Sequence, residues 1–360
     1  MKEATVKKFT PGLIVLLGSG ETLPSSGNTH EFVAKNLPAS PKIAILETPA
    51  GFELNADKVA ERIGDFLKVR LQNYAPEIIQ IPARKKGTEF SPDNFEIVKP
   101  LLHADEILLG PGSPTYAVRQ LKDSLLLELI KARHRMGTAL VLSSAATLAF
   151  GRFTIPVYEI YKVGEDPYWE NGLDFWTSFG LNLSVVPHWN NNDGGQELDT
   201  TRCYIGQSRF DPLVEILPET AVILGIDDHT SVVLDIIEGT CRVMGKGSVH
   251  ILKGGTQKDY RSGQTFDLEE LGEISIPEED QGINPQVWQQ AVDAQEALRL
   301  EMLEASEPPQ SVLSILEKRK SARAAEEWAE ADALREEIEA LGWKVLDKPE
   351  GAELIPMEQK

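Results

Sequence analysis

Thr138-Ala-Leu-Val-Leu-Ser-Ser-Ala-Ala-Thr-Leu-Ala-Phe-Gly151 opens as a β-branched and apolar run, breaks at two serines, and continues in alanine and leucine, which favour helix. It reads as a strand entering a helix through a sharp turn. A serine at such a turn has a helix N-terminus behind it and small residues beside it, the setting in which α/β enzymes present a nucleophile. Ser144 is the candidate nucleophile. The alternative is a packed helix N-cap in which Ser143 or Ser144 satisfies orphan amides.

Working outward, the preceding sequence repeats one pattern. Leu13-Ile-Val-Leu-Leu17 before Gly18-Ser-Gly20, Lys42 to Thr48, Glu77 to Ile81 and Glu106 to Leu109 before Gly110-Pro-Gly112 all read as buried strands. Helical spacing covers Asn55 to Leu71 and Asn94 to His103. Pro114 sits at a first-turn position and opens what reads as one long helix to Met136. Alternating strands and crossover helices predict an α/β fold with a doubly wound, mostly parallel sheet. Its ligands gather beyond the carboxyl ends of the strands, where Gly18-Ser-Gly20, Gly110-Pro-Gly112 and Ser143-Ser144 should converge.

Beyond Gly151 the pattern loosens. A Trp-rich stretch runs through Trp169 and Trp176, and a strand, Leu183 to Val186, ends at Pro187-His188-Trp189 and a polar Asn/Gly turn. Thr200 to Leu217 reads as helix, and short apolar runs between Ala221 and Leu252 read as antiparallel strands that extend the sheet or form an annex. The expected organisation is a hydrolytic domain over 1–275, an acidic linker and charged helix over 276–310, and a helical hairpin over 311–360 ending in an arm from Trp343 to Leu354.

The net charge of -20 argues against a DNA-binding protein, since a phosphate backbone needs clustered Lys and Arg. The two cysteines, Cys203 and Cys241, form neither a disulfide framework nor a metal-ligand spacing, and no apolar run is long enough for a membrane span. A cytoplasmic protein without metal or cofactor is expected, and a homo-oligomer is left open.

A serine nucleophile needs a base, a group orienting the base, and donors for the oxyanion. His188, at a strand end beside a Gly-rich loop, is the first choice of base, and His229 the second. Trp189 could line a substrate pocket and Arg202 could hold a substrate carboxylate. For each, the bland reading is a core tryptophan or a surface arginine.

Taken together, Gly18-Ser-Gly-Glu21, Gly110-Pro-Gly-Ser-Pro-Thr-Tyr116, Ser143-Ser-Ala-Ala146, Pro187-His-Trp189 and Gly225-Ile-Asp-Asp-His-Thr230 stand in the order found in the dipeptidase E and cyanophycinase serine peptidases, which this chain resembles over about residues 10 to 265. The resemblance implies a class I glutamine amidotransferase-like fold and hydrolysis of a small peptide or isopeptide amide. It places the nucleophile on Ser144, the base on His188, and the oxyanion donors on the amides of Gly112 and Ala145. The acid falls on Glu159 first, with Asp228 as the alternative. One departure stands out, because that family's turn is Gly-x-Ser-x-Gly and here the flanking positions are Leu142 and Ala146. Leu142 is expected to relax the turn, and a silent member of the fold that binds a ligand or partner is the competing function.

Arg319-Lys-Ser-Ala-Arg323, Glu327-Trp-Ala-Glu-Ala-Asp332, Leu334-Arg335, Leu341-Gly-Trp-Lys-Val-Leu-Asp347 and Pro349-Glu-Gly351 are similar to the extreme C-terminal segment of cysteinyl-tRNA synthetase. That resemblance implies a tRNA-associated role for the appendage. Against it, acidic residues outweigh basic ones from Ala325 to Ala340, and the rest of the chain lacks the synthetase motifs.

Overall fold

The computed structural model describes residues 9–306, 308–348 and 351–357. The first eight residues, Glu307 of the second break, Pro349-Glu350 and residues 358–360 lie outside the described residues. Two compact units result, Met1–Ala291 and Val292–Lys360. The division falls inside a helix, Pro285–Ser306.

The first unit is built on an eight-stranded sheet. Its parallel part comprises β1 (Ile14–Leu17), β2 (Lys42–Leu46), β3 (Glu77–Ile81), β4 (Glu106–Leu109) and β5 (Ala139–Ser143). β5 lies between β1 and β4, with Leu17 opposite Ser143 and Leu109 opposite Leu142, so the turns after these three strands meet at one edge. β1, and β5 up to its closing Ser143, are short apolar runs because both faces are covered: all of β1 and β5 is buried. Helices α1 (Pro24–Ala34) and α2 (Ala56–Arg70) border one layer of this core, in which Val15, Leu17, Ile45, Ile63, Leu67 and Val141 pack together.

The segment after Pro114 is two helices rather than one. After the short α3 (Phe95–Val98), α4 runs from Pro114 to Leu121 and α5 from Leu125 to Arg135. Asp123 takes φ 56°, and the Ser124 hydroxyl then accepts the Leu127 amide at 3.1 Å as a fresh N-cap. Helix α6 (Ala145–Ala149) follows β5 directly.

Both fates foreseen for the later strands occur. Beyond the two-stranded β6 (Phe153–Thr154) and β7 (Glu170–Asn171) come β8 (Leu183–Val186), β9 (Val222–Ile226), β10 (Thr230–Asp235), β11 (Thr240–Gly245), β12 (Ser248–Lys253), β13 (Thr256–Arg261) and β14 (Thr265–Asp267). β10, β11 and β14 extend the main sheet beyond β1, each antiparallel to its neighbour, while β8, β9, β12 and β13 form a second, four-stranded sheet. Helix α7 spans only Gln207–Glu215. The residues before it, Arg202, Cys203 and Tyr204, all have positive φ and form a left-handed turn instead of the expected helix.

The second unit begins within α8 (Pro285–Ser306) and continues in helices α9 (Gln310–Ala324) and α10 (Trp328–Ala340), as expected, followed by a hairpin of β15 (Trp343–Lys348) and β16 (Gly351–Pro356). Val312, Leu316, Ile338, Trp343 and Val345 form its core. Arg319, only 2% exposed, makes a bidentate bond to Asp347 at 2.9 Å, and Arg323 joins at 3.0 Å. No helix of the described residues is long and apolar enough to cross a membrane.

Candidate active site

Ser144 stands between β5 and α6 with φ 52° and ψ -114°, outside both the helical and the extended wells. A non-glycine residue held there stores strain of about 1–3 kcal/mol, which surrounding structure must impose. Its amide donates to Leu17 O on the neighbouring strand at 3.1 Å, and the Ser143 hydroxyl donates to Glu21 at 2.8 Å. Leu142 does not relax the turn. It is fully buried, and with only a methyl at the buried Ala146 two positions after the serine, the strained geometry is kept.

The Ser144 hydroxyl lies 2.7 Å from His188 Nε2, and His188 Nδ1 lies 2.7 Å from Asp228 Oδ1. The carboxylate fixes the tautomer by accepting a hydrogen bond from Nδ1–H, which leaves the Nε2 lone pair to accept from Ser144. Asp228 is heavily supported. Asn191 donates to its Oδ2 at 3.1 Å, and its backbone amide donates to Asn190 Oδ1 at 2.8 Å. Burial pushes the Asp228 carboxyl up, but the bond and charge of His188, with bonds from Ser19 and Asn191, outweigh that and hold it below the usual carboxylate range.

The acid on the imidazole is therefore Asp228 and not Glu159, the first choice. Glu159 sits on a π-helical turn, Glu159–Val163, and accepts from Thr115 Oγ1 at 2.8 Å, with Arg119 at 3.8 Å. This ties it to α4 on the Gly112 side of the site. His229, the second choice of base, donates its amide to Ser19 Oγ at 3.0 Å.

Gly18-Ser-Gly20 thus serves as a buttress. A Cβ on Gly18 would fall 2.1 Å from Asp227 O, so only glycine lets the β1 turn press against the turn that carries Asp228. Gly112 has φ 151°, and a Cβ there would fall 1.9 Å from Pro49 O. Neither the Gly112 nor the Ala145 amide donates to another protein group among the described residues. Both residues, with Ser144 and His188, line one cleft of about 750 Å³.

Of the two expected substrate contacts, Trp189 lies in the core and Arg202 is half-buried against it. Trp189 is 3% exposed, edge-on to Phe210, and Arg202 lies 3.9 Å over its ring while donating to Trp189 O at 2.9 Å. Indole area is too large and apolar to leave in water here, and the guanidinium is consumed by the indole face. Trp176 is likewise fully buried, and Trp169 donates to Leu213 O at 2.8 Å. Tyrosines line the cleft instead: Tyr158, Tyr161 and Tyr204, with Lys162, Asp193 and Glu197. Nothing in the pattern marked Tyr158 or Tyr204, since each acquires its place from an irregular segment. Asn190 and Asn191 could have been found, because they lie just past His188 and Trp189.

Residues 306–353 match the family described as the cysteinyl-tRNA ligase anticodon binding domain. The cysteine–tRNA ligase 1 of Burkholderia lata is 45% identical over 53 residues, which are 15% of this chain and 11% of that protein. The cysteine–tRNA ligase of Opitutus terrae is 44% identical over 54 residues, 15% and 12% of the two chains. These matches thus span about a ninth of the synthetases' length. Among solved structures, a peptidase from an acI-B1 Actinobacterium superposes with a TM-score of 0.57 at 21% identity, covering 72% of this chain and 98% of that one. The fold expected from the serine-peptidase resemblance is the fold observed, and the C-terminal segment is similar to that of cysteinyl-tRNA synthetases.

Proposed function

We propose that this protein is a serine hydrolase that cleaves a small peptide or isoaspartyl amide through Ser144, His188 and Asp228. The observation that carries the reading is the unbroken chain of two 2.7 Å contacts from a strained serine to an ionised aspartate, at the edge of a cleft of about 750 Å³. A cleft of that volume suits a small ligand. Ser144 Oγ attacks the substrate carbonyl while His188 Nε2 takes its proton, and Asp228 orients the imidazole and balances the charge it gains. The developing oxyanion is held by the Gly112 and Ala145 amides, which have no competing protein acceptor among the described residues. His188 then protonates the leaving amine, and water, activated by the same imidazole, releases the acyl group from Ser144. Turnover of aspartyl dipeptides and β-aspartyl substrates by wild type, and its loss in Ser144→Ala, tests the proposal. Equal turnover by both proteins sinks it; no turnover by either favours a silent, ligand-binding member of the fold.

A second reading concerns the carboxyl-terminal unit alone and rests on the match of residues 306–353. There the unit binds RNA, with retention of tRNA at low salt that falls as salt rises. Its basic side chains weigh against this, since Arg319 and Arg323 are already engaged by Asp347.

A further inference from the structure

Resting on the serine-hydrolase reading, we propose that His250 is a positioning residue, clamping together the two turns from which His188 and Asp228 project. His250 lies on β12, in the second sheet, and does not touch the reacting atoms. Its Nε2 is 3.1 Å from Asp227 Oδ1 and its Nδ1 is 2.8 Å from Asp259 Oδ1. Its ring also stacks on Trp189, with centroids 5.4 Å apart and planes 20° apart. Asp227 immediately precedes Asp228, and Trp189 immediately follows His188. One imidazole therefore holds the chain neighbour of each partner of Ser144.

The surroundings show how tightly this contact is fitted. On β9, directly beside His250 in the sheet, Gly225 has no side chain, and a Cβ there would fall 2.4 Å from Trp189 Cε3. The indole can lie against the sheet only because that position is bare. Its ring also carries Arg202, at 3.9 Å. Asp227 is fixed a second time, by the Ser248 amide on its Oδ2 at 2.8 Å. The charged groups facing His250 are thus Asp227 from the turn after β9, Asp259 from β13, and Arg202 at the indole; Gln257 shares the Asp259 oxygen.

Both ring nitrogens face carboxylate oxygens, an arrangement satisfied fully only when both are donors, in the imidazolium. Burial lowers the His250 pKa, but the bonds and charges of Asp227 and Asp259 outweigh it and hold it above the ordinary histidine range. Loss of that proton removes one of the two bonds and frees the Asp227 turn or the β13 side of the clamp. Small displacements of a catalytic group are costly, and about 1 Å can lower a rate by about a hundredfold. Acylation therefore falls on the alkaline side as His250 deprotonates.

The experiment measures acylation of Ser144 by a fluorophosphonate probe, as limiting rate and half-saturating concentration, from acid to alkaline pH. His250→Phe keeps the ring against Trp189 and loses both hydrogen bonds. It is expected to lower the limiting rate by about tenfold or more, leave the half-saturating concentration unchanged, and abolish the alkaline fall seen in wild type. Asp259→Asn, at a side chain 55% exposed, is expected to move the alkaline fall to lower pH, and it decides the matter if His250→Phe does not fold. Wild-type rates and pH profiles in both variants overturn the positioning role while leaving the hydrolase reading intact. No labelling of wild-type Ser144 overturns both.

Discussion

Glu106 opens β4, the strand that ends at Gly110-Pro-Gly112, and its carboxyl group is fully buried with neither oxygen bonded among the described residues. Its sheet partners are Ile43 and Ala139, so it lies in apolar surroundings. Burial alone pushes its pKa from 4.5 up to about 8. Between those values the unfolded chain has released the proton and the folded chain still holds it, so stability declines as pH rises. At about 1.4 kcal/mol per pH unit, the interval from 4.5 to about 8 amounts to on the order of 5 kcal/mol. Below 4.5 the full stability is present, and above about 8 nothing further is lost. Glu106→Gln keeps the shape and abolishes the charge. Urea unfolding followed by circular dichroism, wild type beside Glu106→Gln, isolates this group because all other ionisable residues are shared. The two proteins should be comparable near pH 4.5, with the variant several kcal/mol more stable at pH 8, by the same arithmetic. Parallel stability curves for the two proteins would show that Glu106 does not hold its proton across this interval.

Three further outcomes are expected. Asp228→Asn should lower the Ser144 acylation rate by about 10³- to 10⁴-fold by presenting the wrong imidazole tautomer, whereas Glu159→Gln should stay close to wild type; comparable losses would reinstate Glu159 on the imidazole. Gly112→Ala should abolish hydrolysis, because its Cβ would fall 1.9 Å from Pro49 O and displace the oxyanion turn, as steady-state kinetics with a folded variant will show. In the second unit, Asp347→Ala should cost about 2 kcal/mol in chemical denaturation, short of a fully buried pair because Asp347 is 41% exposed. The bond from Arg319 holds the Asp347 carboxyl low, so this contribution is present above the ordinary carboxylate range and is lost as pH falls through the lowered value.

The central sheet was legible because strands covered on both faces, such as Ile14–Leu17 and residues 139–142, must be uniformly apolar. The same rule hid β13, whose Thr256–Arg261 run is almost entirely exposed and polar. Helix α1 escaped notice because Pro24–Ala34 carries Ser, Gly, Asn and His and owes its helix to packing, with Ser26, Thr29 and His30 buried. Ser144 and His188 could be found from their positions at strand ends. The acid could not be settled, since local sequence does not show that Asn190, Asn191 and Ser19 converge on Asp228 while Thr115 captures Glu159. Trp189 and Arg202 were each visible, but their mutual stacking, which removes both from the cleft, depends on three successive left-handed residues, Arg202, Cys203 and Tyr204.

In the proposed mechanism Ser144 is an activated nucleophile. Incubation of the full chain with a fluorophosphonate, followed by intact-mass and peptide mass spectrometry, measures this directly. A single adduct on Ser144, absent from Ser144→Ala and strongly slowed in His188→Ala, is the predicted result. A folded wild-type protein that takes up no label, or carries it on another residue, would contradict the account.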